Sequence, residues 1–561
     1  MQEKLLALVA GVCEEVFPGV TPRKEVVVER PSDMAHGDYA TNAALAFSGN
    51  PKDNADKILS VINKNLPDYL SGVSVAGPGF INFTLSPKYL SEVLTSVIKE
   101  GPKFGHNPAF AGLNILTEYT DPNPFKEFHI GHLMPNVIGE SISRLLECAG
   151  ARVERMSYQG DVGLHIGKAV WGMIHNPQTI LDSESLAKKT AYLGQSYVVG
   201  SKAYEESEEN KKEIQEINEK IFKRSDAEIN ELYDRGKRWS LEHFEEIYKI
   251  LGTAFDHYVF ESEVAGEGQR LVRANLGKVF EESDGAVVYK GEKNGLHTRV
   301  FLNKQGLPTY EAKDLALALY KFSLREWDLS LTITGKEQND YFRVMLSALS
   351  EIAPEVAGRI RHMGHGLLRF ATGKMSSREG NVVTGESLIN DTKELVRQKM
   401  KESEVPEDKR EEVENMVAVA AIKFSILKQG IGKDIIFDFD QSISFEGDSG
   451  PYLQYTAVRA NSVLGKTSMV PDARNSEGES QTLARFLAHF RDVMERSARE
   501  YAPQLLVTYL LELASAFNSF YASNKIIGSE KESYRLALTK AVAITMENGL
   551  GALGIKTPKV M

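Results

Sequence analysis

The sequence predicts an α/β protein with a parallel-sheet core, a small α+β domain ahead of it and an all-α helical bundle behind it. Three observations predict this. A strand, a turn, a helix and a second strand follow one another between Asn114 and Tyr158; short strands mix with helical stripes in residues 1–105; and apolar spacing is helical almost throughout beyond Gln441. At about 150 residues per domain, a chain of 561 residues is expected to hold three or four folded units.

Taken in order, Leu5 to Val16 carries apolar residues at helical spacing, and Val26-Val27-Val28, Val73 and Val75 read as short strands. Gly77-Pro78-Gly79 is a turn before an alternating strand through Phe80-Ile81-Asn82-Phe83, and Leu90, Val93, Leu94, Val97 and Ile98 form one helical stripe. The loop Gly101-Pro102-Lys103-Phe104-Gly105 closes this first domain, residues 1–105. Then come a strand near Asn114 to Tyr119, a turn with Pro122 and Pro124, a helix marked by Val137, Ile142, Leu145 and Leu146 and ended by Gly150, and a strand from Val153 to Tyr158: a βαβ unit.

From Asp182 to Lys249 the sequence is highly charged, with Ile214, Ile217 and Ile221 on one face, and predicts an inserted helical hairpin within an insertion spanning residues 182–265. Strand-rich sequence from Gly285 to Leu302, a helix at Asp314 to Phe322 and a strand at Leu329 to Thr334 continue the core, giving a second domain of residues 106–440. Stripes at Leu483, Phe486, Leu487 and Phe490, and at Leu505, Leu506, Tyr509, Leu510 and Leu513, predict a bundle over residues 441–561.

The balance of 66 basic against 77 acidic residues, net −11, argues against a generally basic nucleic-acid coat. From Gln441 onward 13 Lys or Arg face 12 Asp or Glu, net +1, so the bundle escapes the bias that repels phosphate. Two cysteines, Cys13 and Cys148, make neither a disulfide framework nor a zinc site, and a reducing, cytoplasmic address is expected. From Met1-Gln2-Glu3-Lys4, with its early acid, no secretory signal is expected, and no run of about eighteen apolar residues predicts a membrane span.

Chemistry concentrates in two places. His129-Ile130-Gly131-His132 stands between a strand and its helix, where free backbone N–H groups and the helix dipole favour phosphate; Gly131 clears space and two imidazoles three residues apart face one way. Far along the chain, Gly373-Lys374-Met375-Ser376-Ser377-Arg378-Glu379-Gly380-Asn381 is a cationic, hydroxyl-rich loop at residues 373–381, suited to a departing pyrophosphate. Either motif alone also reads as a helix cap or an exposed turn.

Together they resemble the signature pair of class I aminoacyl-tRNA synthetases, with the pentapeptide departing at its fourth position, Ser377. Glu118-Tyr119-Thr120-Asp121-Pro122-Asn123, Tyr158-Gln159-Gly160-Asp161-Val162-Gly163, Gly447 through Tyr455 and His36 through Asn42 are similar to the arginyl-tRNA synthetase family. The resemblance implies a Rossmann-like catalytic domain that joins L-arginine to tRNA(Arg) through an arginyl-adenylate, using ATP and Mg²⁺ with no metal ligands from the protein. It implies catalytic roles for His129, His132 and Lys374, and ATP contacts by these with Gly131, Met375, Ser376 and Ser377. A guanidinium suits forked bonds from carboxylates; by resemblance Glu118, Asn123, Glu261, Tyr310, Asp314 and Gln338 bind arginine. Phe80 and Asn82 are similar to the family's tRNA-elbow reader, and Tyr455, Arg459, Tyr521 and Met561 to its anticodon-binding surface. His165 stands where many members are expected to carry glutamine, and is read as a packed or capping histidine. A monomer without membrane contact is expected. The rival readings are another adenylating enzyme and a noncatalytic RNA-binding paralogue.

Overall fold

The computed structural model describes residues 1–31, 33–178, 180, 183–371, 384–474 and 479–561. Five parallel strands form its central sheet in the spatial order His257–Phe260, Arg152–Gln159, Asn114–Glu118, Leu329–Gly335, Ile360–His365. Numbered along the chain that order is 3-2-1-4-5, a doubly wound sheet whose winding reverses between strands Asn114–Glu118 and Leu329–Gly335. The first strand is buried on both faces, as crossover helices on a parallel sheet require.

The N-terminal domain is a four-stranded antiparallel sheet of Val28–Glu29, Tyr39–Thr41, Phe80–Leu85 and Leu70–Ala76 with helices Gln2–Val16, Pro51–Lys64 and Pro87–Glu100. Asn50 and Ser86 cap the second and third helices, each with a proline at the helix start. The expected strand at Val26 is shorter than its β-branched run, because only Val28 and Glu29 find a partner strand.

The insertion departs from the predicted hairpin. It contains three helices, Leu186–Glu206, Glu208–Lys223 and Ala227–Leu251, each started by a capping side chain: Ser185, Ser207 and Asp226. Ile214, Ile217 and Ile221 are buried together with Trp171, Leu193 and Trp239, so the charged sequence covers a separate apolar core. Helix Glu261–Ala274, whose start was counted with the insertion, belongs to the core. A Cβ on its Gly268 would sit 2.3 Å from the Ala312 carbonyl oxygen, so glycine lets it lie directly on helix Tyr310–Leu324. The strand-rich stretch after it is a separate antiparallel sheet of Glu281–Ser283, Ala286–Tyr289 and Arg299–Leu302.

Helices Gly450–Leu464, Thr482–Ala488, Phe490–Arg499, Pro503–Ser523 and Glu532–Ala552 make the C-terminal bundle. Among the described residues one helix, Pro503–Ser523, is long and apolar enough to cross a membrane, but Leu506, Leu510, Leu513 and Phe517 are buried in the bundle core. The bundle also grips the N-terminal domain: Asn548 donates to the carbonyls of Gly101 and Phe104 at 2.9 and 2.8 Å, and Arg485 meets Asp38 at 2.6 Å. Asp38 is fully buried, its other oxygen taking the Leu85 N–H at 2.7 Å. Arg485→Ala strands that carboxylate, and is expected to cost about 3 kcal/mol or more; calorimetric melting checks this, with Arg485→Lys recovering only part because it lacks the fork.

Candidate active site

Where the winding of the sheet reverses, the carboxyl ends of strands Asn114–Glu118 and Leu329–Gly335 leave a crevice, the usual ligand position in such sheets. The segment leaving the first strand is held in an uncommon backbone conformation. Thr120, Asp121 and Phe125 have φ of 84°, 47° and 66°, a region L-residues rarely occupy. Neighbours enforce it: Asn136 donates to the Thr120 hydroxyl at 3.0 Å, Asp121 accepts the Tyr158 N–H at 2.8 Å, and Ser240 accepts the Phe125 N–H at 2.9 Å.

Helix Ile130–Cys148 starts at this segment, with His129 at its N-cap. The rings of His129 and His132 stack with centroids 3.6 Å apart, and His132 Nδ1 accepts the His129 N–H at 3.3 Å. That bond places the neutral ring's proton on Nε2, leaving a donor for a ligand. Burial holds both imidazoles below their ordinary pKa, His132 furthest, with Lys126 adding repulsion to each. They act as neutral dipoles, not cations, and the attraction for phosphate comes from the helix start and Lys126. A Cβ on Gly131 would lie 2.8 Å from the His129 ring, so glycine permits the stack.

Across the crevice the carboxylates converge. Glu118 ends the first strand and ion-pairs with buried Lys321. Glu261 opens its helix and pairs with Lys313. Asp314, on the same helix as Lys313 and Lys321, is instead bonded by the Tyr341 hydroxyl. Burial, with the Glu118 and Glu261 charges adding to it, pushes the Asp314 carboxyl up to about 7. Asp121 is likewise raised, by burial first and the Glu118 charge next. Gly160 shapes one wall: a Cβ there would meet Asn123 Oδ1 at 2.3 Å and Glu261 Oε1 at 3.2 Å. His165 faces the carbonyl of that glycine, Nε2 to oxygen 3.0 Å, and burial lowers its pKa to about 4, so it holds the wall as a neutral donor.

Of the expected arginine-binding residues, Glu118, Asn123, Glu261 and Asp314 thus come together. Tyr310 lies at the rim, 61% exposed with the Lys313 ammonium 4.6 Å above its ring, and Gln338 is exposed just past strand Leu329–Gly335. The sequence offers Asp121, Tyr158, Lys313 and Tyr341 only as members of motifs, with no role of their own, and Lys321 not at all. Asp161 was noted only within a motif; it accepts from Tyr233, Lys237 and Ser262, tying the insertion to the pocket.

The second motif, with Lys374, Met375, Ser376 and Ser377, lies outside the described residues. Its following segment is fixed to the first motif: Thr384 bridges His129, and the Gly385 N–H donates to the Phe128 carbonyl at 2.7 Å. In the N-terminal domain Phe80 is 41% exposed, as stacking on a base requires. Asn82 is buried in the same strand against Gly37, so its amide is covered where base-edge reading needs it open. In the bundle Arg459 lies between the rings of Tyr455 and Tyr521, 4.6 and 5.1 Å from their centroids, and donates to Asn518 at 2.6 Å. Met561 and Phe445 both pack against the buried cluster that includes Val396, Met400, Val413 and Ile443, and the Phe445 ring meets that of Tyr455 at 6.5 Å.

Known proteins match this arrangement. The model of the class I (R) tRNA synthetase catalytic domain matches residues 93–439, which places the chain in that class. The DALR anticodon binding domain matches residues 453–561, and the arginyl tRNA synthetase N terminal domain residues 3–85. An arginine–tRNA ligase of Clostridium perfringens is 30% identical over 559 residues, covering 96% of each chain, and one of Ligilactobacillus salivarius is 30% identical with 99% of each covered. The solved Thermus thermophilus arginyl-tRNA synthetase shares the fold, with a TM-score of 0.81 at 23% identity over 100% of both chains. The chain belongs to the arginyl-tRNA synthetase family, enzymes that aminoacylate tRNA(Arg) at the expense of ATP.

Proposed function

We propose that the carboxylate pocket receives the arginine side chain and that the start of helix Ile130–Cys148 receives ATP, so that the arginine carboxylate attacks the α-phosphate between them. The carrying observation is the convergence of four carboxylates, Glu118 and Asp121 from one segment and Glu261 and Asp314 from two helices, with the Lys126 charge acting on Glu261 as well as on both rings of the His129–His132 stack. Asn123 and Gln338 orient the amino acid's backbone groups, Tyr310 lies along its path, and Gly131 lets the nucleotide approach. Lys374, Met375, Ser376 and Ser377 complete the ATP site and draw charge onto the leaving pyrophosphate. No protein nucleophile is needed; positioning and fixed dipoles supply the rate. The 2′ hydroxyl of the terminal tRNA adenosine then attacks the adenylate carbonyl, breaking the acyl–phosphate bond and releasing AMP.

Among the described residues no group of three or more His, Cys, Asp or Glu side chains is arranged to hold a metal. Mg²⁺ would accompany ATP as the counter-ion of its phosphates, and no step here runs through it. Phe80 is assigned to the tRNA elbow, and Tyr455, Arg459, Tyr521 and Met561 to the anticodon; the enzyme works as a monomer in the cytoplasm. Charging total tRNA with each of the twenty amino acids tests the whole reading. Arginine alone is expected to be attached, and any other preference overturns it.

The raised Asp314 carboxyl makes arginine binding depend on pH. Below its pKa of about 7 the free enzyme carries the proton, and a guanidinium beside the carboxylate must expel it. Affinity therefore rises with pH up to about 7 and then levels, with the limiting slope about tenfold per pH unit. Titration calorimetry in buffers of different ionisation enthalpy is expected to detect up to one proton released per arginine bound below that pH.

A further inference from the structure

Beside the carboxylates, among the described residues, the Tyr158 hydroxyl has no partner in the protein. Among the described residues the Tyr158 oxygen is shielded from solvent and makes no hydrogen bond, although the Tyr158 N–H is fixed by Asp121 at 2.8 Å. Tyr158 stands near the carboxyl end of its strand. Met156, two residues earlier and on the same face, is the register partner of Glu118, while Tyr158 itself pairs with Val259, two residues before Glu261. Burial raises its phenol well above the ordinary value, followed by the charges of Asp314, Glu261, Glu118 and Asp161. A buried hydroxyl ringed by acids yet bonded to none of them is a group waiting for a ligand.

We propose that Tyr158 is a further arginine-recognition residue, its oxygen accepting an N–H of the guanidinium. The proposal rests on the pocket assigned above. A guanidinium presents five N–H donors in a fixed plane, whereas an ammonium presents three on a point charge. Lys321 and Lys313 already engage Glu118 and Glu261, so those carboxylates offer the substrate fewer free lone pairs. A phenol oxygen adds an acceptor without adding another negative charge to a site where burial and mutual repulsion already hold Asp121 and Asp314 above their ordinary range.

Tyr158→Phe removes the oxygen and keeps the ring. Calorimetric titration with L-arginine is expected to show binding weakened about tenfold or more, the loss of one hydrogen bond to a charged group. The ATP KM should hold, and the melting temperature should be unchanged or higher because no bond within the protein is lost. An unchanged arginine affinity overturns the proposal, as does a lower melting temperature with arginine and ATP affinity reduced alike, which marks a structural hydroxyl. Asp314→Asn, titrated in parallel, separates the two claims. If both variants bind arginine normally the pocket itself is misassigned; if only Tyr158→Phe does, the pocket stands and the role of Tyr158 falls.

Discussion

Asp314→Asn is expected to raise the arginine KM on the order of 100-fold, as loss of one partner from a buried charge pair does, while leaving the ATP KM near its original value. The substitution keeps shape and can still accept from the Tyr341 hydroxyl, so only charge is removed. That charge matters most because Glu118 and Glu261 already face Lys321 and Lys313, and Asp314 is the acid of the three held by a neutral partner. A substrate cation gains most at the anion not already neutralised. The same variant should flatten the pH dependence of arginine binding, since the proton to be expelled is gone. Its melting temperature should not fall: burial opposes the charged form of Asp314, and asparagine carries none. ATP–pyrophosphate exchange in the presence of tRNA, with arginine as the varied substrate, measures the effect. An unchanged arginine KM would take Asp314 out of the pocket.

What the sequence showed of this site followed how local each feature is. The His129-Ile130-Gly131-His132 stretch was legible because a helix start, a missing side chain and two rings three residues apart form one local device, and the structure adds their stacking. The strand–helix alternation likewise yielded the parallel core, since the pattern repeats within each segment. The basic partners of the acids were not legible. Lys313 and Glu261 are 52 residues apart, and Lys321 meets Glu118 only once helix Tyr310–Leu324 lies against the sheet. In the sequence both lysines look like the polar face of an ordinary helix. The left-handed turn at Thr120 and Asp121 was equally hidden, because no glycine marks it and its support comes from Asn136 and the Tyr158 backbone. The third insertion helix was missed for a related reason. The break at Ser207 has neither Gly nor Pro, and one serine ends one helix and caps the next.

His132→Ala is expected to slow adenylate formation roughly 100-fold or more, as loss of one preorganised donor at a developing charge does. Three features of the ring set the size and form of that loss. Its Nδ1 is committed to the His129 N–H, so Nε2 carries the proton and has one thing to offer, a hydrogen bond to phosphate oxygen. Its burial and the Lys126 charge keep it neutral, so the donor persists unchanged across the pH range in which an ordinary histidine would titrate. Its stacking against His129 fixes where that donor points. The variant should therefore lose rate by the same factor at about pH 6 as at about pH 8, a span across the ordinary histidine pKa, whereas loss of an imidazolium would cost most at the lower pH. The arginine KM should change little, because the ring lies on the nucleotide side. Lys374→Ala is expected to slow the same step by removing charge from the leaving pyrophosphate, and the double variant should lose less than the product of the single losses if both groups act on one transition state. Single-turnover pyrophosphate release reads all three enzymes directly, and a normal rate in His132→Ala would remove that imidazole from the phosphate site.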